Sequence, residues 1–129
     1  MSTWRRKALD AIPELQSVVQ SAENPMALWI ELECIFDEYV NGNNDEKVRN
    51  ILNYASWCTS DKSGKLPTEA SSAAVVAFYE NIGANKKYWP LFREWFNPTE
   101  FEEKKFFFKY LLEEEEFSEL VNVYRNNKK

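Results

Sequence analysis

Apolar residues recur along this chain with the spacing of helices, and each run is fenced by residues that start or stop helices. Three prolines stand just behind residues suited to capping or turning, at Asn24-Pro25, Leu66-Pro67-Thr68 and Asn97-Pro98. Proline at the first helical position loses no hydrogen bond there. Asn97 followed by Glu100 has the form of a capping box. Gly42 and Gly83 each follow a periodic run and suit a left-handed C-terminal cap. No stretch alternates convincingly with period two, so the pattern predicts an all-α bundle of about seven or eight helices. The expected spans are Thr3 to Ile12, Pro13 to Ala22, Pro25 to Val40, Asp45 to Thr59, Thr68 to Ile82, Lys87 to Trp95, Pro98 to Leu111 and Glu113 to Arg125. Ser60 to Lys65 reads as an exposed loop and Asn126 to Lys129 as a fraying end. The 129 residues suffice for one core, so a single domain over residues 1–129 is expected.

Turning each helix by about 100° per residue selects its buried face. In the third helix Leu28, Leu32, Ile35, Phe36 and Tyr39 share one side, with Trp29 and Val40 on its flank. In the fourth, Val48, Ile51, Leu52, Ala55 and Cys58 line up. The fifth carries Ala70, Ala73, Ala74, Val75, Val76, Ala77, Phe78 and Ile82 almost all round, which places it at the centre. Phe117, Leu120, Val121 and Tyr124 form the stripe of the last helix.

Composition narrows function mainly by exclusion. Histidine is absent, which removes the commonest general base and metal ligand. No calcium loop or phosphate-cradling glycine loop appears, and neither cysteine has a partner that would make it a nucleophile. The sequence therefore reads as a non-enzyme with no cofactor and no metal. Basic residues number 16 against 21 acidic, a net charge of −5, which disfavours nucleic-acid binding. No apolar run has the length of a membrane span or the form of a signal peptide. Cys34 and Cys58 are accordingly expected as free thiols in the cytoplasm, Cys34 facing solvent and Cys58 in the core.

Charged and aromatic clusters read first as structure. Glu113 to Glu116 is a solvated helix start, where the dipole favours negative charge. Arg5-Arg6-Lys7 reads as solvated surface on the first helix, and Tyr88 to Phe96 as core packing of a short connecting helix. Phe106-Phe107-Phe108 must point three rings in three directions, so at least one lies against a second neighbour or is left for a partner.

The third helix carries the strongest hint of a binding face. Opposite its core stripe lie Ile30, Cys34 and Asp37, with Glu31 and Glu38 along one edge and Glu33 along the other. Up to Asn43 the chain has three basic and seven acidic residues, so this helix concentrates negative charge. Ile30 with Glu31, Asp37 and Glu38 thus reads either as a solvent-facing side with an incidental isoleucine and cysteine or as a candidate anchor and acidic rim for a basic protein partner.

Trp4-Arg5-Arg6-Lys7-Ala8-Leu9, Ile12-Pro13-Glu14-Leu15, Asn24-Pro25, Trp29-Ile30-Glu31-Leu32, Tyr54-Ala55-Ser56-Trp57-Cys58 and Ala77-Phe78-Tyr79-Glu80 together resemble a family of small all-helical bacterial proteins of uncharacterised function. That resemblance implies a HEAT-like helical bundle and carries over no catalytic residue. In size, charge and helicity the chain also resembles immunity proteins of contact-dependent inhibition systems. Two functions are then expected as alternatives: neutralising a cognate toxin, a basic nuclease, by occluding its active site, or serving as a non-inhibitory helical scaffold or adaptor.

Overall fold

A computed structural model describes residues 1–126, and every regular element among them is helical. The chain divides into two compact units, one ending at Phe78 and one beginning at Tyr79. The first contains α1 (Thr3–Ala11), a 3-10 turn (Pro13–Leu15), α2 (Gln16–Ser21), α3 (Pro25–Asn41), α4 (Asp45–Cys58), a second 3-10 turn (Asp61–Ser63) and α5 (Glu69–Ala74). A π-turn over Val75–Tyr79 carries the helical run across the division. The second unit contains α6 (Glu80–Ala84), a 3-10 stretch (Lys86–Leu91), α7 (Phe92–Trp95), α8 (Pro98–Lys109) and α9 (Glu114–Asn126). Asn126 is the last helical residue rather than a frayed one, and the rest of the expected fraying end lies outside the described residues. No helix among the described residues is long and apolar enough to cross a membrane.

The helix starts follow the chemistry of their caps. Asn24 accepts from the Ala27 N–H at 2.8 Å, with Pro25 next in the chain. Asn97 and Glu100 form the reciprocal capping box read from the sequence, at 2.8 and 3.0 Å. Thr68 pairs in the same way with Ser71. Pro13–Leu15 forms a 3-10 turn ahead of α2, so the predicted second helix is in two pieces.

Both glycine stops are corrected. Gly42 does follow α3, but with φ −88°, and the left-handed residue is Asn43 at φ 55°. Asparagine tolerates that region better than most side chains. Gly83 lies inside α6 and caps nothing. Its role is close approach, since a Cβ there would stand 2.5 Å from the Phe108 Cα and 2.7 Å from the Phe108 carbonyl oxygen of α8. The Gly83 carbonyl also accepts from the Trp89 indole N–H at 2.8 Å. That contact closes α6, α8 and the 3-10 stretch around one small residue.

In the first unit α3 packs on both α4 and α5, and its buried stripe is Leu28, Trp29, Leu32 and Phe36. The stripe is turned toward Trp29 relative to the one read from the sequence, leaving Ile35 and Tyr39 half-buried. Aromatic attraction explains the turn. Trp29 stacks on Tyr54 at 5.4 Å and meets Phe78 at 5.1 Å, while Phe36 meets Phe78 edge-on at 4.9 Å. Tyr54 donates from its hydroxyl to the Trp4 carbonyl at 2.9 Å, tying α1 to this cluster. The α4 stripe from Val48 to Cys58 is buried as read. In the fifth predicted helix the alanines and Phe78 are buried, but Val76 is half-exposed. In the second unit Tyr88, Trp89, Phe92, Trp95 and Phe96 all lie in the core, together with Phe101, Phe108, Leu120 and Tyr124. The aromatic run is therefore packing, with the Tyr124 hydroxyl donating to the Phe96 carbonyl at 2.8 Å.

Arg5 departs from its reading as solvated surface. Its guanidinium donates to the carbonyls of Val19 at 2.7 Å and Gln20 at 3.1 Å, and lies over the Trp4 ring. It satisfies carbonyls that α2 leaves open at its C-terminal end.

Cys34 is exposed and Cys58 buried. Burial pushes the Cys58 thiol up to about 12, against smaller lowering contributions from the Tyr54 and Trp29 side chains. The Trp29 indole N–H meets no acceptor at hydrogen-bond geometry, yet it lies close enough to favour the thiolate. A thiol reagent should therefore modify Cys34 in the native protein and reach Cys58 only on unfolding. Cys34→Ser should leave stability unchanged, whereas Cys58→Ser should cost roughly 1–3 kcal/mol, read by urea denaturation. The sign of the pH effect follows from the raised value. The unfolded thiol ionises near 9.0 and the folded one near 12, so the stability this group lends is intact below the first and lost as pH rises toward the second. Two rapidly reacting thiols in the native state would contradict this packing.

Candidate functional site

The outward face of α3 is built by the same turn that buries Trp29. With Leu28, Trp29, Leu32 and Phe36 facing the core, Ile30, Cys34 and Asn41 point away from it. Ile30 is 56 % exposed and is the one large aliphatic side chain on this outward line of α3. Glu31 and Glu38 are exposed along one edge, and Glu33 and Asp37 are half-buried along the other. Carboxylates thus run along both edges of the line through Ile30 and Cys34.

The two edges differ in environment. Glu31 and Glu38 are exposed to solvent. Asp37 is held, accepting from the Asn41 side-chain amide at 3.2 Å. Glu33 has its carboxyl pushed above the ordinary range, first by burial and then by the like charge of Asp37 one turn away. Neighbouring like charges on one helix face are unfavourable at neutral pH, and a cation placed between them would relieve the repulsion. Sequence spacing located these groups, but the partial burial of Glu33 and Asp37 depends on tertiary packing and was not legible. Asp37 is consequently a poorer position for charge reversal than Glu31 or Glu38.

A groove of about 540 Å³ opens beside this face, between α2 and α3. Val18, Ala22 and Ala27 give it an apolar floor, Ser17 and Ser21 a polar wall, and Glu23 and Glu31 its charge. Glu31 therefore belongs both to the strip and to the groove. The groove can take a long cationic side chain, whose methylenes would lie on the floor with the charged end at the carboxylates. This groove was missed in the sequence because it needs α2 laid against α3, a contact that no local pattern encodes.

A second exposed patch lies at the C-terminal end of α8 and in the turn that follows it. Of the three consecutive rings, Phe108 is fully buried, Phe107 half-buried and Phe106 69 % exposed. One helical turn on, Tyr110 is 72 % exposed, with Leu111 beside it. The expectation that three successive rings cannot share one core is met, and Phe106 is the ring left outside.

Other candidate clusters resolve into structure. Glu113, Glu114 and Glu115 are exposed at the start of α9, where the Glu116 carboxylate accepts from the Glu113 N–H at 3.0 Å. Among the described residues no group of three or more ligating side chains is placed to hold a metal ion. No family model, curated protein or solved structure matches the chain.

Proposed function

We propose that this chain is an immunity protein that binds a cognate bacterial toxin domain, a basic nuclease, and neutralises it by covering its active site in the cytoplasm of the producing cell. The observation that carries the reading is the exposed Ile30 set between two lines of carboxylates on α3. Nuclease surfaces are positive because their substrates are polyanions, so an acidic binder gains steered association. An apolar residue within such a rim is where slow dissociation would originate. The α2–α3 groove beside it suits an inserted lysine or arginine of the partner.

Association and dissociation should separate by residue. Reversing Glu31 and Glu38 to lysine should slow association at least about tenfold at low salt, with little effect on stability, because both side chains are exposed. Ile30→Ala should instead speed dissociation. Stopped-flow mixing with the purified toxin domain reads both constants, and unchanged association for the reversed variant would exclude this face.

A non-inhibitory helical adaptor is the second reading. The exposed Phe106 and Tyr110 favour it, since a scaffold needs more than one docking face. The two readings part on protection: an adaptor binds its partners and leaves a neighbouring toxin active. A gene position immediately downstream of a toxin gene would favour the first.

A further inference from the structure

In the second unit a groove of about 350 Å³ runs between α8 and α9. Its apolar wall includes Phe101, Phe117 and Tyr124, with Phe101 and Tyr124 stacked face to face at 3.9 Å. Three cations line it, Arg93, Lys105 and Arg125, against the single carboxylate of Glu102. This is a local excess of positive charge on a chain whose net charge is −5. Lys105 is already paired with Glu102. Arg93 is held in place without neutralisation, donating to the Tyr124 carbonyl at 3.3 Å with its guanidinium 4.8 Å over the Tyr124 ring. No carboxylate among the described residues forms an ion pair with Arg93 or Arg125. A guanidinium fixed by a carbonyl and a ring face keeps free N–H groups in a geometry that matches a carboxylate.

We infer that this groove binds a carboxylate carried on an apolar or aromatic group, the anion at Arg93 and Arg125 and the apolar part against Phe117 and Val121. The chemistry is shared by a free small acid and by the C-terminus of a peptide ending in an apolar residue. The site is independent of α3 and of the immunity reading. It adds a second ligand class, opposite in charge to the partner proposed there.

The test is titration of isotope-labelled full-length protein with N-acetyl-phenylalanine, its uncharged amide, and a short peptide ending in phenylalanine, followed by NMR shifts of Phe117, Val121 and Tyr124. The acid should bind at least about tenfold more tightly than the amide. Arg93→Gln should weaken the acid by about tenfold and leave the amide unchanged. Val121→Trp should fill the groove and block both, without touching a charge. A peptide that binds about tenfold more tightly than the small acid identifies a protein C-terminus as the ligand, and equal binding identifies a free carboxylate; either supports the site. Equal shifts with acid and amide, no shift up to about 10 mM, or an Arg93→Gln variant that binds the acid normally would overturn it.

Discussion

Trp29→Ala is expected to cost roughly 3–5 kcal/mol, a large share of the ~5–15 kcal/mol that holds a domain of this kind. The indole is fully buried and is the common neighbour of Tyr54 and Phe78, so its loss opens a cavity where α3, α4 and α5 meet. Its N–H is buried without a hydrogen-bond partner, which means that the native state already carries a desolvation cost there. Trp29→Phe keeps a ring on Tyr54 and removes that cost, so it should lose less than half as much as the alanine variant. Urea denaturation of both measures the difference. Equal losses would mean that the ring stack contributes little.

Gly83→Ala carries the other large effect, and helix propensity predicts the opposite sign. In a helix interior alanine is favoured over glycine by roughly 0.5–1 kcal/mol. Here the new methyl would meet backbone atoms of Phe108, its Cα at 2.5 Å and its carbonyl oxygen at 2.7 Å, which cannot swing aside as a flexible side chain can. α6 and α8 must separate, with a net loss at or beyond the upper end of the roughly 1–3 kcal/mol of ordinary overpacking. Gly42→Ala is the control. Its φ of −88° suits any residue, and its new Cβ would meet the Glu38 carbonyl oxygen at 3.3 Å and the Tyr39 carbonyl oxygen at 3.9 Å, neither as close as the Phe108 atoms at Gly83. That change should lie within about 0.5 kcal/mol of neutral. A stable Gly83→Ala protein would show that the α6–α8 contact yields easily.

The contrast between the two glycines shows what the sequence could convey. Cap chemistry is local, so Asn24, Thr68 and Asn97 announce their helix starts, and Asn97 with Glu100 announces the form of its capping box. Close approach is not local. Gly83 looks like a stop because glycine usually is one, and only Phe108, far along the chain, explains it. The same limit applies to Arg5, whose partners are carbonyls on α2, and to the turn of α3 toward Trp29, which answers to Tyr54 and Phe78.

On the candidate face, helical periodicity was enough to put Ile30, Cys34 and Glu38 outward. It could not distinguish the solvated Glu31 from the restrained Asp37. Nor could it anticipate that Glu33 has its carboxyl raised by burial and by that neighbour.

Growth protection in a bacterial host reads the proposed neutralisation of a toxin directly. Under the proposed immunity function, a candidate toxin domain from a neighbouring gene is expressed with the wild-type chain, with the Glu31→Lys, Glu38→Lys variant, and with a vector control. The wild type should protect fully and the variant should not, with the variant present at equal level and with an unchanged melting temperature. Equal protection by both would contradict binding through α3, and no protection by either would contradict the immunity function itself.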